Sequence, residues 1–305
     1  MTLTAALFGY AAVLAVAIPR LLGGRWLDRS PRLALTLWHT SAVSALSAAT
    51  LATVACFADG GMLRVWLAAL TDGKGGSDML IAGATLVVPA LVVGRVGFAA
   101  VRLLRIRRSE QRRHLELLSL LGRHDSELDA TILPADVPAA YCVPGARQIV
   151  LTSGAVTVLD DVELRAVLTH ERAHLAGRHH LLVAWADVLR HAFGALPLFG
   201  RIREVTGNLV ELLADDQAVR RVSGDSLATA IAALSCGRAP AVGLAASGGS
   251  VAARVERLMT PPEPLPVATR IGGAGAVLSL MTMPFLVIIV PTLFAASLVA
   301  CPHLF

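Results

Sequence analysis

Four long apolar segments are the feature that most constrains how this chain can fold. Each is at least 19 residues long, and together they contain one charged residue, Arg95. A helix needs about 20 apolar residues to cross a hydrocarbon layer of about 30 Å, so each segment is a predicted membrane span. The predicted spans are about residues 1–19, 33–58, 79–101 and 271–302.

The positions of the arginines between these segments predict the orientation. The first loop carries four arginines, and the stretch from Arg102 to Arg113 carries six. The second loop carries only Arg64 and Lys74, against three aspartates. Because cytoplasmic loops carry the excess of basic residues, the first loop and residues 105–269 are predicted to be cytoplasmic. The chain is then a multi-pass protein of the cell membrane whose N- and C-termini are external.

An HExxH sequence begins at His170, within the predicted cytoplasmic interval. The apolar periodicity predicts one helix from Val162 to His191, on which His170 and His174 share a face and can bind one metal ion. Zinc with an open coordination position lowers the pKa of a bound water to about 7, and Glu171 lies where it can take the water's proton. The motif therefore predicts a peptidase that holds one Zn²⁺ per chain.

Two residues are candidates for the third metal ligand. His180 would complete a longer HExxHxxGxxH pattern, which needs the helix to end near Gly177 and a methionine turn beneath the metal. The helical pattern continues past Gly177, and no methionine occurs between His180 and Met259. Glu211 is therefore the favoured ligand. Asp215, one turn later on the same face of that helix, is placed to orient a ligating histidine.

These assignments carry two local expectations. The helix of the third ligand is expected to run from Arg203 to Val222. His179 and His180 are expected to be an exposed pair on the surface of the metal helix.

Two short strands, Ala140–Val143 and Gln148–Thr152, are predicted around the turn Pro144–Arg147. Asp160–Glu163 then begin the metal helix as cap and first-turn acids. The second strand is predicted as an edge that holds an extended substrate by strand addition, although covering the helix is an equally good role. The residues of this predicted edge are Gln148, Ile149, Val150, Leu151 and Thr152.

The charge pattern limits the kinds of partner. The net charge of +5 comes mostly from the arginines that set the orientation. The basic run 102–113 abuts a span and has no interleaved aromatic residue, so no direct contact with nucleic acid is expected. Together with Arg254–Arg270, this run is expected to hold the domain against anionic lipid. Arg95 is expected to snorkel to the cytoplasmic interface, and a place at the membrane-facing edge of the site is the alternative.

The chain resembles the BlaR/MecR-type integral-membrane zinc peptidases of bacteria, over essentially its whole length. Three stretches carry the resemblance: Gln148–Thr152, Asp161–His174 and Glu211–Val219. The resemblance implies a mainly α membrane protein with four transmembrane helices and a cytoplasmic α+β zincin-like (gluzincin) metallopeptidase domain between spans 3 and 4. The expected domains are three spans within 1–104, the peptidase domain at 105–269, and the fourth span with a short external tail at 270–305.

In that family two histidines and a later glutamate bind zinc, and the motif glutamate activates water. The resemblance gives these roles to His170, His174, Glu211 and Glu171, with Asp215 as a supporting partner. The heat-shock and prenyl-protein-processing membrane gluzincins share the same signatures. Members that sense β-lactams carry an external penicillin-binding domain after the last span, whereas this sequence stops at Phe305, so sensing by acylation is not expected.

The resemblance implies regulatory proteolysis of a cytoplasmic transcriptional repressor, in a pathway linked to antibiotic resistance. Quality control of damaged membrane proteins is the alternative. An idle membrane scaffold is a third function, but a scaffold has no need of a general base such as Glu171. The expected partners are a protein substrate and the lipid bilayer, and a homodimer or a separate sensor protein stays open.

Overall fold

A computed structural model describes residues 2–59, 76–236 and 245–300 of the 305-residue chain. The second loop (60–75) and the C-terminal tail (301–305) lie outside the described residues. A 3-10 turn at Arg25–Arg29 joins the first two helices. The helices are α1 (Thr2–Leu21), α2 (Pro31–Asp59), α3 (Gly76–Leu121), α4 (Ser153–Val158), α5 (Asp161–Ala176), α6 (His179–Phe193), α7 (Pro197–Ala218), α8 (Gly224–Cys236), α9 (Ala245–Met259) and α10 (Val267–Ala300). The strands are β1 (Arg123–Asp125), β2 (Ala130–Leu133), β3 (Ala140–Val143) and β4 (Gln148–Thr152).

Two helices in the described parts of the chain are long and apolar enough to cross a membrane. They are α1, through Leu3–Leu21, and α10, through Val267–Val290. The protein is thus mostly helical, with a small sheet and two apolar helices that suggest membrane association. The number of four spans and their orientation stay predictions. The third predicted span is the first part of α3, which continues for 46 residues to Leu121.

The sheet has the order β1-β2-β4-β3, and this corrects the predicted substrate edge. Strand β4 pairs in parallel with β2 on one side and antiparallel with β3 on the other, so it is an internal strand. Strands β1 and β2 were not predicted, because three or four residues are too short to show an alternating pattern. The edge strand next to β4 is β3, and a substrate cannot pair with Gln148–Thr152 without displacing a neighbour.

The two faces of the sheet are covered by different helices. One face packs against α5, where Ile149 and Leu151 join Leu164 and Leu168 in one core. On the other face, Leu118 near the end of α3 packs with residues of β3 and β4. The metal helix therefore lies directly on the sheet, beside its β3 edge.

Helices α6 and α7 share a hydrophobic core with α1 and α2. Trp38 of α2 is buried among residues of α7 that include Phe199 and Ile202. His39 of α2 also contacts Thr206 of α7, with Nε2 and Oγ1 3.0 Å apart. The helix that carries Glu211 is therefore packed on the N-terminal helices rather than separated from them. The domain limits at 104 and 269 stay a prediction.

Candidate metal centre

Helix α5 carries both histidines of the HExxH motif on one face. Its start is fixed by a capping box, in which Asp160 accepts from the Val162 and Glu163 amides and the Glu163 carboxylate accepts from the Asp160 amide. Further along, His170 Nε2 and His174 Nε2 lie 3.1 Å apart. The predicted cap is confirmed, and the helix brings the two imidazoles together as the motif spacing requires.

Glu211 completes a cluster of three donor atoms. From α7 it places Oε2 3.6 Å from His170 Nε2 and Oε1 3.5 Å from His174 Nε2. A tetrahedral zinc ion with bonds of about 2.0–2.1 Å holds its ligand atoms about 3.4 Å apart, so this donor set fits the ion. The group found among the described residues consists of these three and does not include His180.

The connection between α5 and α6 differs from the predicted continuous helix. The two helices are separated by Gly177 and by Arg178, whose φ of 48° is left-handed. A Cβ at Gly177 would lie 2.3 Å from His179 Nε2, so any other residue there would displace the His179 ring. The helix does end at the glycine, and our argument against His180 from helix continuity was wrong. Of the two candidates, Glu211 lies within the cluster of possible donors and His180 does not.

His179 is buried beside the cluster, so the predicted exposed pair was also wrong. Its Nδ1 lies 3.0 Å from His174 Nδ1, and His180 is half-buried. Because His174 Nε2 faces the other donors, its Nδ1 is free to hydrogen-bond to His179. Such a bond fixes the orientation of a ligating ring. No sequence pattern predicts it, because it depends on the reversal at Gly177.

A buried ion-paired layer lies behind the donors. Asp215 is fully buried, and its Oδ1 lies 3.0 Å from His170 Nδ1, where the spacing from Glu211 predicted it. Arg254 of α9 donates to both Asp215 oxygens at 2.8 Å, and its remaining nitrogen lies 2.8 Å from Glu211 Oε2. One guanidinium therefore holds both carboxylates. A buried carboxylate needs a cation, but Arg254 lies 39 residues beyond Asp215 and follows no spacing rule.

Glu171 lies on α5, between the donor cluster and strand β3. Burial raises the pKa of Glu171 above its ordinary value. Cys142 on β3 lies beside this carboxyl group, and its thiol and amide act to lower the pKa of Glu171, by less than burial raises it. Burial, together with the charge of Glu171, raises the pKa of the Cys142 thiol to about 12, so the thiol stays protonated.

Burial and charge set the protonation of the three donors. Burial lowers the pKa of His170, but the carboxylates of Asp215 and Glu211 outweigh it and raise the pKa to about 9. Burial lowers the pKa of His174 to about 4. Burial raises the pKa of Glu211, but His170 and Arg254 outweigh it and hold the pKa at about 2. At neutral pH, His170 must therefore release a proton when a metal ion binds.

The site has the composition of a metallopeptidase centre: two histidines and a carboxylate as donors, with a carboxyl group of raised pKa beside them. Residues 107–209 match the model of peptidase family M48, whose members are zinc-dependent. This match supports placing the chain among zinc metallopeptidases. It includes His170, Glu171 and His174 but ends before Glu211, so the place of Glu211 rests on the geometry. No curated protein and no solved structure matches the chain.

Proposed function

We propose that the chain is a membrane-associated, zinc-dependent endopeptidase. The observation that carries this proposal is the convergence of donor atoms from His170, His174 and Glu211, all within 4.8 Å of one another, beside Glu171. The match to family M48 supports hydrolysis of peptide bonds. The apolar helices α1 and α10 support an association with membranes.

Each residue of the site has a distinct task in this proposal. The three donors would hold the ion. Bound zinc would act as a Lewis acid and lower the pKa of a coordinated water to about 7. Glu171 accepts a proton from the attacking water and delivers it to the leaving amine, a task that suits a carboxyl group of raised pKa. Asp215 and His179 each fix the ring of one histidine.

The outer edge of β3 is the surface that best fits an extended substrate. The Thr152 amide donates to the Ala139 carbonyl at 3.0 Å. In an antiparallel pair every second residue bonds to the neighbouring strand, so this bond shows which residues of β3 face β4. Ala140 and Cys142 therefore direct their main-chain groups away from β4, on a strand where Cys142 lies beside Glu171. A peptide paired with this edge lies beside the general base, held by main-chain hydrogen bonds that tolerate many side chains.

Cleavage by the wild-type chain and by Glu171→Ala, both in lipid nanodiscs, tests the proposal. The variant should lose cleavage and keep about one zinc per chain, because Glu171 is outside the donor cluster. A chelator should abolish wild-type cleavage. A variant that loses its zinc, or that cleaves normally, contradicts the role of Glu171.

The physiological substrate that the BlaR/MecR resemblance supports is a cytoplasmic transcriptional repressor. A repressor encoded beside this chain should be cut by the wild-type protein and left intact by Glu171→Ala or in the presence of chelator. If the repressor survives and an unfolded membrane protein is degraded instead, quality control replaces regulation as the function.

A further inference from the structure

The loop between α6 and α7 is an exposed apolar element, which we call the hairpin tip (residues 192–200). Its sequence is Ala-Phe-Gly-Ala-Leu-Pro-Leu-Phe-Gly, without a charged or hydrogen-bonding side chain. Residues 194–197 are exposed, and 45% of the surface of Leu196 is uncovered. A large contiguous exposed apolar surface marks a contact with lipid or protein, so the surroundings of the hairpin tip decide its meaning.

Several main-chain groups of the hairpin tip have partners within the protein. The Leu196 amide donates to the Phe193 carbonyl at 2.9 Å, and the Gly200 amide to the Leu196 carbonyl at 2.8 Å. The Ala192 carbonyl, near the end of α6, accepts from Arg95 Nε at 2.8 Å. In hydrocarbon, polar main-chain groups must be satisfied by protein, so this pattern fits a lipid environment. Arg95 therefore binds the end of α6, and its snorkelling to the interface stays a prediction.

Contacts between α3 and α6 fix the level of the hairpin tip relative to the basic run. Arg102 Nη1 lies 3.2 Å from His191 Nε2, and Arg95 reaches Ala192. Ala99 is buried in the same cluster as Ala192. At a rise of 1.5 Å per residue, the hairpin tip lies about 5–10 Å farther toward the apolar part of α3 than Arg102, the first arginine of the run.

The surroundings at that level are apolar as well. Leu91, Val93 and Phe98 of α3, which flank Arg95, are exposed. In α10, only 6% of the candidate span is buried within the protein, and Ile271, Leu278 and Ile289 are among its exposed apolar residues. Helix α7, which leads away from the hairpin tip, packs on α1 and α2. The hairpin tip is thus part of one apolar layer with the helices that suit a membrane.

We propose that the hairpin tip is embedded in the hydrocarbon of the bilayer and sets the distance of the metal centre from the membrane. From Phe193 to His179, which contacts His174, α6 is about 21 Å long at 1.5 Å per residue. The hairpin tip lies about 5–10 Å inside the level of Arg102, so the metal centre lies about 10–15 Å outside it. An extended chain covers that distance in about three to five residues.

Besides a soluble protein, this spacing admits a membrane-anchored substrate, and that part rests on the proposed peptidase function. A membrane-anchored polypeptide whose chain leaves the bilayer beside this protein reaches the centre with its juxtamembrane segment in extended form. The bond that is cleaved then lies within the first few residues outside the membrane.

Two matched cysteine variants test the position of the hairpin tip without any cleavage assay. Leu196 and Val158 are 45% and 47% exposed, and Val158 ends α4, which follows β4 of the sheet that packs at the Leu118 end of α3. Leu196→Cys and Val158→Cys are labelled with a fluorophore in nanodiscs whose lipids carry a nitroxide in the acyl chain. The unsubstituted protein, labelled in parallel, gives the signal of the native cysteines.

The label at position 196 should lose most of its emission to the lipid nitroxide, and the label at 158 should lose none. Iodide in the buffer should quench in the opposite order. Equal lipid quenching at both positions overturns the proposal. Shielding of position 196 from both quenchers also overturns it, because protein rather than lipid would then cover the hairpin tip.

The substrate class is tested by placing a charge at the same two positions. Leu196→Asp should reduce cleavage of a membrane-anchored substrate and leave cleavage of a short soluble peptide unchanged, whereas Val158→Asp should affect neither. Equal loss on both substrates overturns the spacing argument. Because the quenching result does not depend on activity, a failure of the peptidase function is distinguishable from a failure of the membrane placement.

Discussion

Replacement of Arg254 by alanine tests whether the ion-paired layer holds the metal centre together. In the folded chain this guanidinium satisfies Asp215 through two hydrogen bonds and contacts Glu211 through a third nitrogen, all at 2.8 Å. The side chain of Asp215 is 1% exposed and that of Arg254 is 14% exposed, so water cannot replace the lost partner. Removing one partner of a buried pair costs about 3–5 kcal/mol. His170, protonated at neutral pH in the metal-free protein, stays 3.0 Å from Asp215, so we expect Arg254→Ala to lose at most that much unfolding free energy.

Helix α9, which carries Arg254, offers a matched control. Arg257, three residues later, is 15% exposed and pairs with Asp216 at 2.7 Å, but Asp216 is 38% exposed. Water can solvate Asp216 when the arginine is removed, so Arg257→Ala should cost no more than about 1 kcal/mol. Arg254→Lys keeps the charge without the planar guanidinium, so its loss of unfolding free energy should lie between those of the two alanine variants.

The assay is denaturant unfolding of the metal-free protein in detergent, with refolding checked. Metal-free protein is required because bound zinc would add its own stabilisation and hide the difference. If the Arg254→Ala and Arg257→Ala variants are equally stable, burial of Asp215 does not determine the energy and the reasoning above is refuted.

Three further predictions concern the metal. Glu211→Ala should abolish zinc binding measured by equilibrium dialysis, because it removes one of three donors; retention of zinc would reopen the choice of ligand. His179→Ala should weaken zinc binding about 10–100-fold through the ring of His174, while His180→Ala should not; equal effects would contradict this. Because the pKa of His170 is raised to about 9, zinc affinity should fall about tenfold for each pH unit below 9, and calorimetry at pH 7 should show about one proton released.

The parts of the site that depend on local spacing could be predicted from the sequence. The capping box at Asp160 and the pairing of His170 with His174 follow from positions three and four residues apart on one helix. The place of Asp215 behind His170 follows from the same rule, applied to the helix of Glu211. In each case a single element fixes the relation between residues, whatever the rest of the fold does.

The parts that depend on long-range packing could not be predicted. Strand β4 became internal because β2, a four-residue strand, pairs with it in parallel. The break after α5 depends on His179 folding back over Gly177, which no periodicity shows. Arg254 reaches the site from α9, and the uncharged pattern of α2 does not reveal that its His39 side faces α7. These relations are set by which surfaces meet.

Helix α3 joins the apolar layer to the sheet as one continuous helix. It runs unbroken from Gly76 to Leu121, is held to α6 by Arg95, and at its far end carries Leu118, packed against β3 and β4. The arm from Arg95 to Leu118 is about 35 Å long at 1.5 Å per residue, so a tilt of about 5° moves Leu118 by about 3 Å. That displacement is close to the rise of one residue along a strand. The apolar end of α3 and the strand beside Glu171 are therefore joined by one continuous helix, and a tilt at one end displaces the residues packed at the other.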